Sequence, residues 1–154
     1  MSQRDPKVFH LLQKAHSSLF RASDHALREA YGIGTAQQAI LFALSKGDGA
    51  TLSTLVQQLG MTKSSLSGLI DRMEKSGLVR REPSPKDARS TLIRLEDQGR
   101  ECVAQSLPET KRINAALLEP FSAQERAVIE RFLLHITEAS TSHFQSNSQT
   151  ESVS

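Results

Sequence analysis

The sequence predicts a mainly α-helical protein with one small β-hairpin. Apolar residues recur at steps of three and four through most of the 154 residues, as amphipathic helices require. Two of these helical segments are short and are joined through "LGMT". Two strand-like runs, "GLV" and "TLIRL", flank the segment "RREPSPKDARS" (Arg80 to Ser90), which holds two prolines and several cations. The length suits one domain with a sizeable core.

A long first helix is expected to begin at Asp5 and Pro6, which fit an N-cap and a proline at the first helical position. Gly32 or Gly34 is expected to end it. Its apolar stripe is long for a small domain and should leave surface for a partner. The stripe consists of Val8, Leu11, Leu12, Ala15, Leu19, Ala22, Ala26 and Ala30.

Two shorter helices are expected to follow. Thr35 with Gln38 forms a capping box for the second helix. Thr51 caps the third helix, "LSTLVQQLG", and Gly60 closes it. With the next helix, this third helix forms a helix-turn-helix.

The fourth helix should run from its N-cap, Thr62, to Gly77. Its apolar face consists of Leu66, Leu69, Ile70 and Met73. Its first turns carry Thr62, Lys63, Ser64, Ser65 and Ser67. Small hydroxyls would let this helix enter the major groove of DNA and bond base edges or phosphates. An ordinary capped amphipathic helix explains this pattern equally well.

Two strands are expected at Leu78–Glu82 and Thr91–Leu95, joined by a loop that Pro83 and Pro85 stiffen. A helix-turn-helix followed by a strand, a basic loop and a strand is the order of a winged helix. The loop is therefore interpreted as a wing whose tip lies against DNA.

The wing tip carries Lys86, Asp87 and Arg89. Lys86 and Arg89 would offer charge to phosphates or to a narrow minor groove, where the negative potential suits arginine. Asp87 is expected to pair with Arg89 and to hold its side chain in place.

The rest of the chain is expected to be helical and then disordered. Glu101–Leu107 resumes a helix, which Pro108 should kink or restart. Ser122 and Glu125 form a capping box for a last helix. From Ser140 onward the composition predicts a disordered tail. The stripe of the last helix consists of Val128, Ile129, Phe132, Leu133 and Ile136.

Positive charge is concentrated in the middle of the chain. The whole sequence carries a net charge of +2, whereas eight lysines and arginines stand against four carboxylates between Gly60 and Arg94. Such a cluster is typical of a surface that faces nucleic acid, although a solvated face can also produce it. Asp71 and Glu74 are interpreted as surface charge.

Other classes of function have little support. The sequence shows no nucleophile–base set and no Gly-rich phosphate loop, so an enzyme is not expected. His10, His16 and His25 are not three or four residues apart, so no metal or cofactor is expected. The lone Cys102 is interpreted as a packed residue rather than a redox sensor. The absence of a long apolar run and of a signal peptide predicts a cytoplasmic protein with no membrane partner.

The segment "TLSTLVQQLGMTKSSLSGLIDRMEKSGLVRREPSPKDARSTLIRLEDQG" resembles the core of the MarR family of winged-helix regulators. The resemblance includes the Asp-x-Arg of the wing and is specific from about Thr35 to Gly99. It implies a homodimer that binds a palindromic operator in double-stranded DNA, usually as a repressor. Members often release DNA on binding a small aromatic or phenolic ligand. The alternative is a winged-helix protein-interaction module that has lost DNA binding.

The resemblance also implies roles for single residues. Arg89 would lie in the minor groove, oriented by Asp87, and Arg72 would brace the domain near the DNA backbone. Gly68 departs from the family, because many members have a larger and often basic residue there. Glu96 stands where a capping threonine is usual. The major-groove residues would be Lys63, Ser64, Ser65 and Ser67.

The family fold implies a division of the chain into functional regions. Residues 35–95 would bind DNA, residues 1–34 and 96–139 would form a helical dimerisation region, and residues 140–154 would be the disordered tail. A ligand would bind where the dimerisation helices meet the winged domain. Phe20, Tyr31 and Phe42 are candidates for that pocket.

Overall fold

The computed structural model describes residues 4–146, which form six helices and a three-stranded antiparallel sheet. Close contacts divide the chain into two compact units, the first ending at Glu109 and the second beginning at Thr110. The predicted fold class, mainly helical with a winged helix-turn-helix, is confirmed. In chain order the elements are α1 (Val8–Tyr31), α2 (Thr35–Ser45), β1 (Ala50–Thr51), α3 (Leu52–Leu59), α4 (Lys63–Lys75), β2 (Val79–Pro83), β3 (Thr91–Leu95), α5 (Asp97–Leu118) and α6 (Ala123–Ser146).

Helix α1 begins later than the sequence predicts and ends where expected. The Leu11 N–H donates to the Lys7 carbonyl, which makes Lys7 the N-cap. Pro6 lies outside the helix because its carbonyl accepts the Val8 N–H in a tight turn (2.8 Å). At the other end Gly32 adopts φ 69°, the left-handed conformation that glycine tolerates best.

The start of α2 lies one residue before the predicted capping box. Gly34 is the N-cap, and its N–H donates to Gln37 Oε1 (2.9 Å). The Thr35 N–H donates to Asp24 Oδ1 of α1 (2.9 Å). The predicted partner, Gln38, is buried instead. The prediction was wrong by one position because a carboxylate from another helix satisfies the first turn.

The helix-turn-helix is capped as predicted. Thr51 Oγ1 accepts the Thr54 N–H at the start of α3 (3.2 Å), and Gly60 ends α3 with φ 63°. Thr62 Oγ1 accepts the Ser65 N–H at the start of α4 (3.3 Å). These bonds join residues three positions apart, so the start of each helix can be predicted from the local sequence.

The wing strands pair in antiparallel register, with Val79 opposite Leu95 and Pro83 opposite Thr91. Strand β3 has the predicted bounds, whereas β2 is shifted by one residue. Pro83 ends β2, which is an edge strand in the order β1-β3-β2, so its missing N–H costs no bond to a further strand. The sequence gives no signal for β1, which is too short to show a period and pairs Ala50 with Ile93.

The core of the first unit lies beneath the helix-turn-helix and the sheet. Gly99, at the start of α5, is buried because the Leu78 backbone lies directly against it, and a Cβ there would overlap the Leu78 carbonyl oxygen. The largest fully buried apolar side chains are Ile40, Leu41, Leu55, Leu66, Ile70, Met73 and Val79.

The C-terminal helices are longer than predicted. Pro108 was expected to kink or restart the helix, and the restart is wrong, because the 22-residue α5 continues through it. The capping box of α6 is confirmed by bonds from Ser122 N–H to Glu125 Oε2 (2.8 Å) and from Glu125 N–H to Ser122 Oγ (3.3 Å). Helix α6 runs on to Ser146, past the predicted start of the tail, and residues 147–154 lie outside the described residues.

Candidate nucleic-acid interface

Helix α4 rests on a fully buried face made of Leu66, Ile70 and Met73. The opposite face is polar, because successive residues of a helix are rotated by about 100°. Along that face Ser64, Asp71 and Lys75 are exposed, whereas Gly68 is half-buried. The structure therefore presents a polar outer face of α4, which we call the recognition helix, largely to solvent.

The first turn of α4 contains a pair of bonded hydroxyls. Thr62 Oγ1 donates to Ser65 Oγ (2.9 Å) in addition to accepting the Ser65 N–H. Ser65 keeps its own hydroxyl proton, which can be donated outward. Lys63 and Ser64 are exposed, and their side chains have no bonded partner in the described part of the chain; Ser67 is half-buried.

Three of the eight middle-segment cations are neutralised by carboxylates. Arg80 and Arg94 stand opposite each other across β2 and β3, and Glu82 pairs with both. Glu96, at the position where the family usually has threonine, also pairs with Arg80 (3.6 Å). The third neutralised cation is Arg81. All three arginines are half-buried and belong to the strands.

The five remaining cations lie on α4 and the wing tip. Their side chains are exposed, and within the described residues none forms an ion pair or a hydrogen bond. These five residues, which we call the free-cation surface, are Lys63, Arg72, Lys75, Lys86 and Arg89. The pairing of the strand arginines thus leaves uncompensated charge on the two elements that the sequence predicts to touch DNA.

Arg81 joins the recognition helix to the wing. Its N–H and Nη1 donate to the two carboxylate oxygens of Glu74 (both 3.1 Å), and its Nη2 donates to Asp71 Oδ1 (2.7 Å). Asp71 and Glu74 are therefore more than the solvated surface charge that the sequence suggested. The sequence spacing does not reveal this brace, because it depends on how β2 packs against α4.

The wing tip is held by hydrogen bonds within the loop, two of which end on the Asp87 carboxylate. The Ser84 N–H donates to the Ser90 carbonyl and closes the loop (2.9 Å). Asp87 Oδ1 accepts the Arg89 N–H (3.0 Å), and Asp87 Oδ2 accepts the Ser90 hydroxyl (3.4 Å). The expected pairing of Asp87 with the Arg89 side chain is absent from the described residues. An aspartate readily accepts the N–H two residues ahead, and this bond leaves the guanidinium exposed.

Cys102 packs in the core, and burial raises the pKa of its thiol. A raised pKa reduces the thiolate fraction and hence the reactivity of the sulfur. Within residues 4–140, whose side chains the structure describes, no group of three or more metal-binding side chains comes together. None of the helices described is long and apolar enough to cross a membrane.

A helix-turn-helix followed by a basic β-hairpin, with its free charge on the second helix and the hairpin tip, defines a winged-helix DNA-binding protein. The sequence pattern of the MarR family matches residues 31–90. The transcriptional activatory protein BadR of Rhodopseudomonas palustris is 32% identical over 136 residues, which is 84% of this chain and 76% of BadR. The chain belongs to the MarR family of DNA-binding transcriptional regulators.

A second relative, the uncharacterised regulator YdgJ of Bacillus subtilis, is 32% identical over 98 residues. That alignment covers 64% of this chain and 60% of YdgJ, so it spans less than two thirds of that relative. The family is therefore supported over most of the chain by BadR and over a shorter part by YdgJ.

Solved structures agree with the fold. The PcaV regulator of Streptomyces coelicolor, in complex with its natural ligand, superposes with a TM-score of 0.73 at 26% identity, covering 91% of this chain and 99% of PcaV. Another MarR-family regulator of Streptomyces coelicolor, in complex with DNA, superposes with a TM-score of 0.78 at 22% identity, covering 89% of this chain and 92% of the other.

Proposed function

We propose that two copies of this chain bind a palindromic operator and repress transcription, and that a small aromatic or phenolic ligand releases them. The observation that carries the proposal is the free-cation surface on α4 and the wing tip. Cations without internal partners are available to phosphates, whereas paired ones would first have to break a bond. The protein would act in the cytoplasm, where its DNA lies.

The start of α4 would enter the major groove. Ser64 is exposed and has no partner among the described residues, and Ser65 can donate its remaining proton, so both are suited to base edges. Lys63 would contact phosphate beside them. Thr62 would act mainly by ordering the first turn, and Ser67, being half-buried, would contact the groove only along its exposed edge.

The wing would enter the adjacent minor groove. Arg89 would supply the guanidinium, Lys86 would meet a phosphate, and Asp87 would fix the loop from which both project. This role for Asp87 replaces the one that the sequence suggested, since the carboxylate holds backbone rather than guanidinium.

A second copy would cover exposed apolar surface. Phe9 is 81% exposed and Leu11 53% exposed on α1, and Val128 and Leu133 are 53% and 48% exposed on α6. Large exposed apolar patches are rare on monomers. These helices lie in the predicted dimerisation region, residues 1–34 and 96–139, and a two-fold dimer would place half-sites about 10 base pairs apart.

The ligand proposal follows from PcaV, which binds a natural ligand. Of the candidate residues, Tyr31 is half-buried and its hydroxyl donates to the Gln105 carbonyl (3.1 Å), which links the end of α1 to α5. Phe42 is half-buried, and Phe20 stacks on His16 with ring centroids 4.2 Å apart. A ligand that displaced the Tyr31 bond would change how α1 meets α5.

Activation rather than repression is the second candidate, because BadR is by name an activatory protein. A reporter fused to a promoter that this protein binds separates the two. Deletion of the gene should raise reporter output for a repressor and lower it for an activator.

DNA binding is tested with the duplex that the protein enriches most from a randomised library. We expect Arg89→Ala to weaken binding and to lower the slope of log affinity against log salt by about one per wing. Lys14→Ala, which removes an exposed cation of α1, is the control and should leave both unchanged. Equal effects of the two substitutions would refute the proposed wing contact.

A further inference from the structure

The free-cation surface has one member whose position is set by a glycine. At Gly68 a Cβ would lie 3.7 Å from Arg72 Nη1, and no other atom of the described residues comes within 4 Å, apart from those of its two chain neighbours and the local helix backbone. The Arg72 guanidinium therefore lies back along α4, over position 68. Helical side chains lean towards the N-terminus of their helix, which brings residue i+4 over residue i.

The Arg72 side chain is free to bind an external acceptor. Asp71 and Glu74 lie one and two residues from Arg72, so they do not face it on the helix, and Arg81 holds both carboxylates. Arg72 is exposed, and its guanidinium makes no ion pair or hydrogen bond to the residues described. No carboxylate stands three or four residues from Arg72 along α4, where a helical neighbour could pair with it.

Position 68 lies on the outer face of α4, between Ser64 and Lys75. Ser64 and Lys75 are exposed, whereas Gly68 is half-buried even though it has no side chain of its own. The Arg72 guanidinium lies over this place. A larger residue at position 68 would occupy the same volume and push the guanidinium away.

We propose that Gly68 makes room for the Arg72 guanidinium, which would contact DNA in the major groove from its place over position 68. Arg72 would then be a DNA-reading residue rather than a brace. This inference rests on the proposed DNA binding by α4. A guanidinium fits the paired acceptors of a guanine edge and also fits two phosphate oxygens. Either acceptor satisfies the proposal, and the experiment distinguishes them.

The experiment measures binding of the enriched duplex by variants at both positions. We expect Arg72→Ala and Gly68→Leu each to weaken binding about tenfold or more. Their combination should be no worse than either alone, because both remove the same contact. The combination of Arg72→Ala with Gly68→Arg should regain most of the lost affinity, since it returns a guanidinium to the same surface.

Three matched controls accompany these variants. Gly68→Ala should bind as the wild type does, because a Cβ at 3.7 Å is in ordinary contact with Arg72. Lys75→Ala removes another free cation of α4. Gly68→Leu should weaken DNA binding by the Lys75→Ala variant at least as much as it weakens DNA binding by the wild type. Urea unfolding should show that Arg72→Ala is as stable as the wild type, since the side chain is exposed and pairs with none of the residues that the structure describes.

The outcomes separate the two proposals. A loss confined to the enriched duplex assigns a guanine edge, and an equal loss on all duplexes with a lower salt slope assigns a phosphate. If Arg89→Ala weakens binding while Arg72→Ala does not, or if Gly68→Leu remains costly without Arg72, only the role of Arg72 is overturned. If the wild type binds no duplex, the proposed function itself fails.

Discussion

At the scale of single residues, Asp87 is the position where net charge and local geometry predict opposite effects of a carboxylate on DNA binding. Its carboxylate adds negative charge to a surface that would face phosphate. The same carboxylate accepts the Arg89 N–H and the Ser90 hydroxyl, and so holds the loop that carries the wing cations. Because the loop is already ordered before binding, less conformational entropy is lost when it binds DNA.

Asp87→Ala is therefore expected to weaken operator binding, although it removes a negative charge. Asp87→Asn is the matched variant, because an asparagine oxygen can accept the same N–H without the charge. We expect the asparagine variant to bind at least as tightly as the wild type. Affinity is measured on one duplex over a salt series. Tighter binding by Asp87→Ala would show that the loop needs no such bond.

The sequence predicts which side chains are polar or charged, but not which of them are paired. Lys63, Arg80 and Arg94 all count equally in the charge of the middle segment. The structure neutralises Arg80 and Arg94 because the hairpin register places them opposite each other with Glu82 beside them. A register can be derived only once both strands are placed, so the free-cation surface is invisible in the sequence.

At the scale of elements, two helical glycines should respond in opposite directions to the same substitution. Gly99→Ala should destabilise the protein by about 1–3 kcal/mol, because its Cβ would displace the Leu78 backbone. Gly68→Ala should stabilise it by up to about 1 kcal/mol, because alanine favours the helix and its Cβ would make only an ordinary contact with Arg72. Urea unfolding measures both, and a neutral Gly99→Ala would contradict the close approach of α5 to Leu78.

The junction of α1 and α2 should lose stability in acid. The Arg28 guanidinium, together with the Thr35 N–H, lowers the pKa of the Asp24 carboxyl. A lowered folded-state pKa gives stability that is present above the unfolded value, near 3.9, and is lost as the pH falls through the folded value. The difference in urea midpoint between wild type and Asp24→Asn should therefore shrink below about pH 4.

Arg28→Ala is the companion to this experiment. It removes the largest cause of the shift while keeping the carboxylate, so the same acid dependence should become weaker. If Asp24→Asn destabilised the protein equally at neutral and acid pH, the bond between Asp24 and α2 would not depend on its charge.

Elements with local signals could be predicted, and those that depend on distant contacts could not. Three helix starts could be predicted because each cap bonds to a backbone N–H three residues ahead. The caps are Thr51, Thr62 and Ser122. The start of α2 was misplaced because Asp24, 11 residues earlier, supplies its bond. The close approach at Gly99 likewise arises only when α5 packs against Leu78, the residue before β2.

At the scale of the whole molecule, the exposed apolar stripes predict self-association. Sedimentation equilibrium at micromolar concentration should give the mass of two chains. Leu133→Glu should shift the protein towards a monomer and weaken operator binding, because a charge would replace an apolar contact. Arg131→Glu introduces the same residue on the other side of α6 and should remain dimeric. A wild-type monomer would exclude the two-fold arrangement.

The bonds by which Arg81 joins β2 to α4 have a consequence for the spacing of base pairs within the operator. Three bonds from Arg81 to Asp71 and Glu74 tie β2 to α4. In the proposed complex, the bases at the helix and the minor-groove step at the wing would therefore be separated by a constant number of base pairs. One inserted base pair inside a half-site would rotate the two reading positions by about a tenth of a DNA turn, and the brace could not follow. Natural operators of this protein should therefore vary between half-sites sooner than within one.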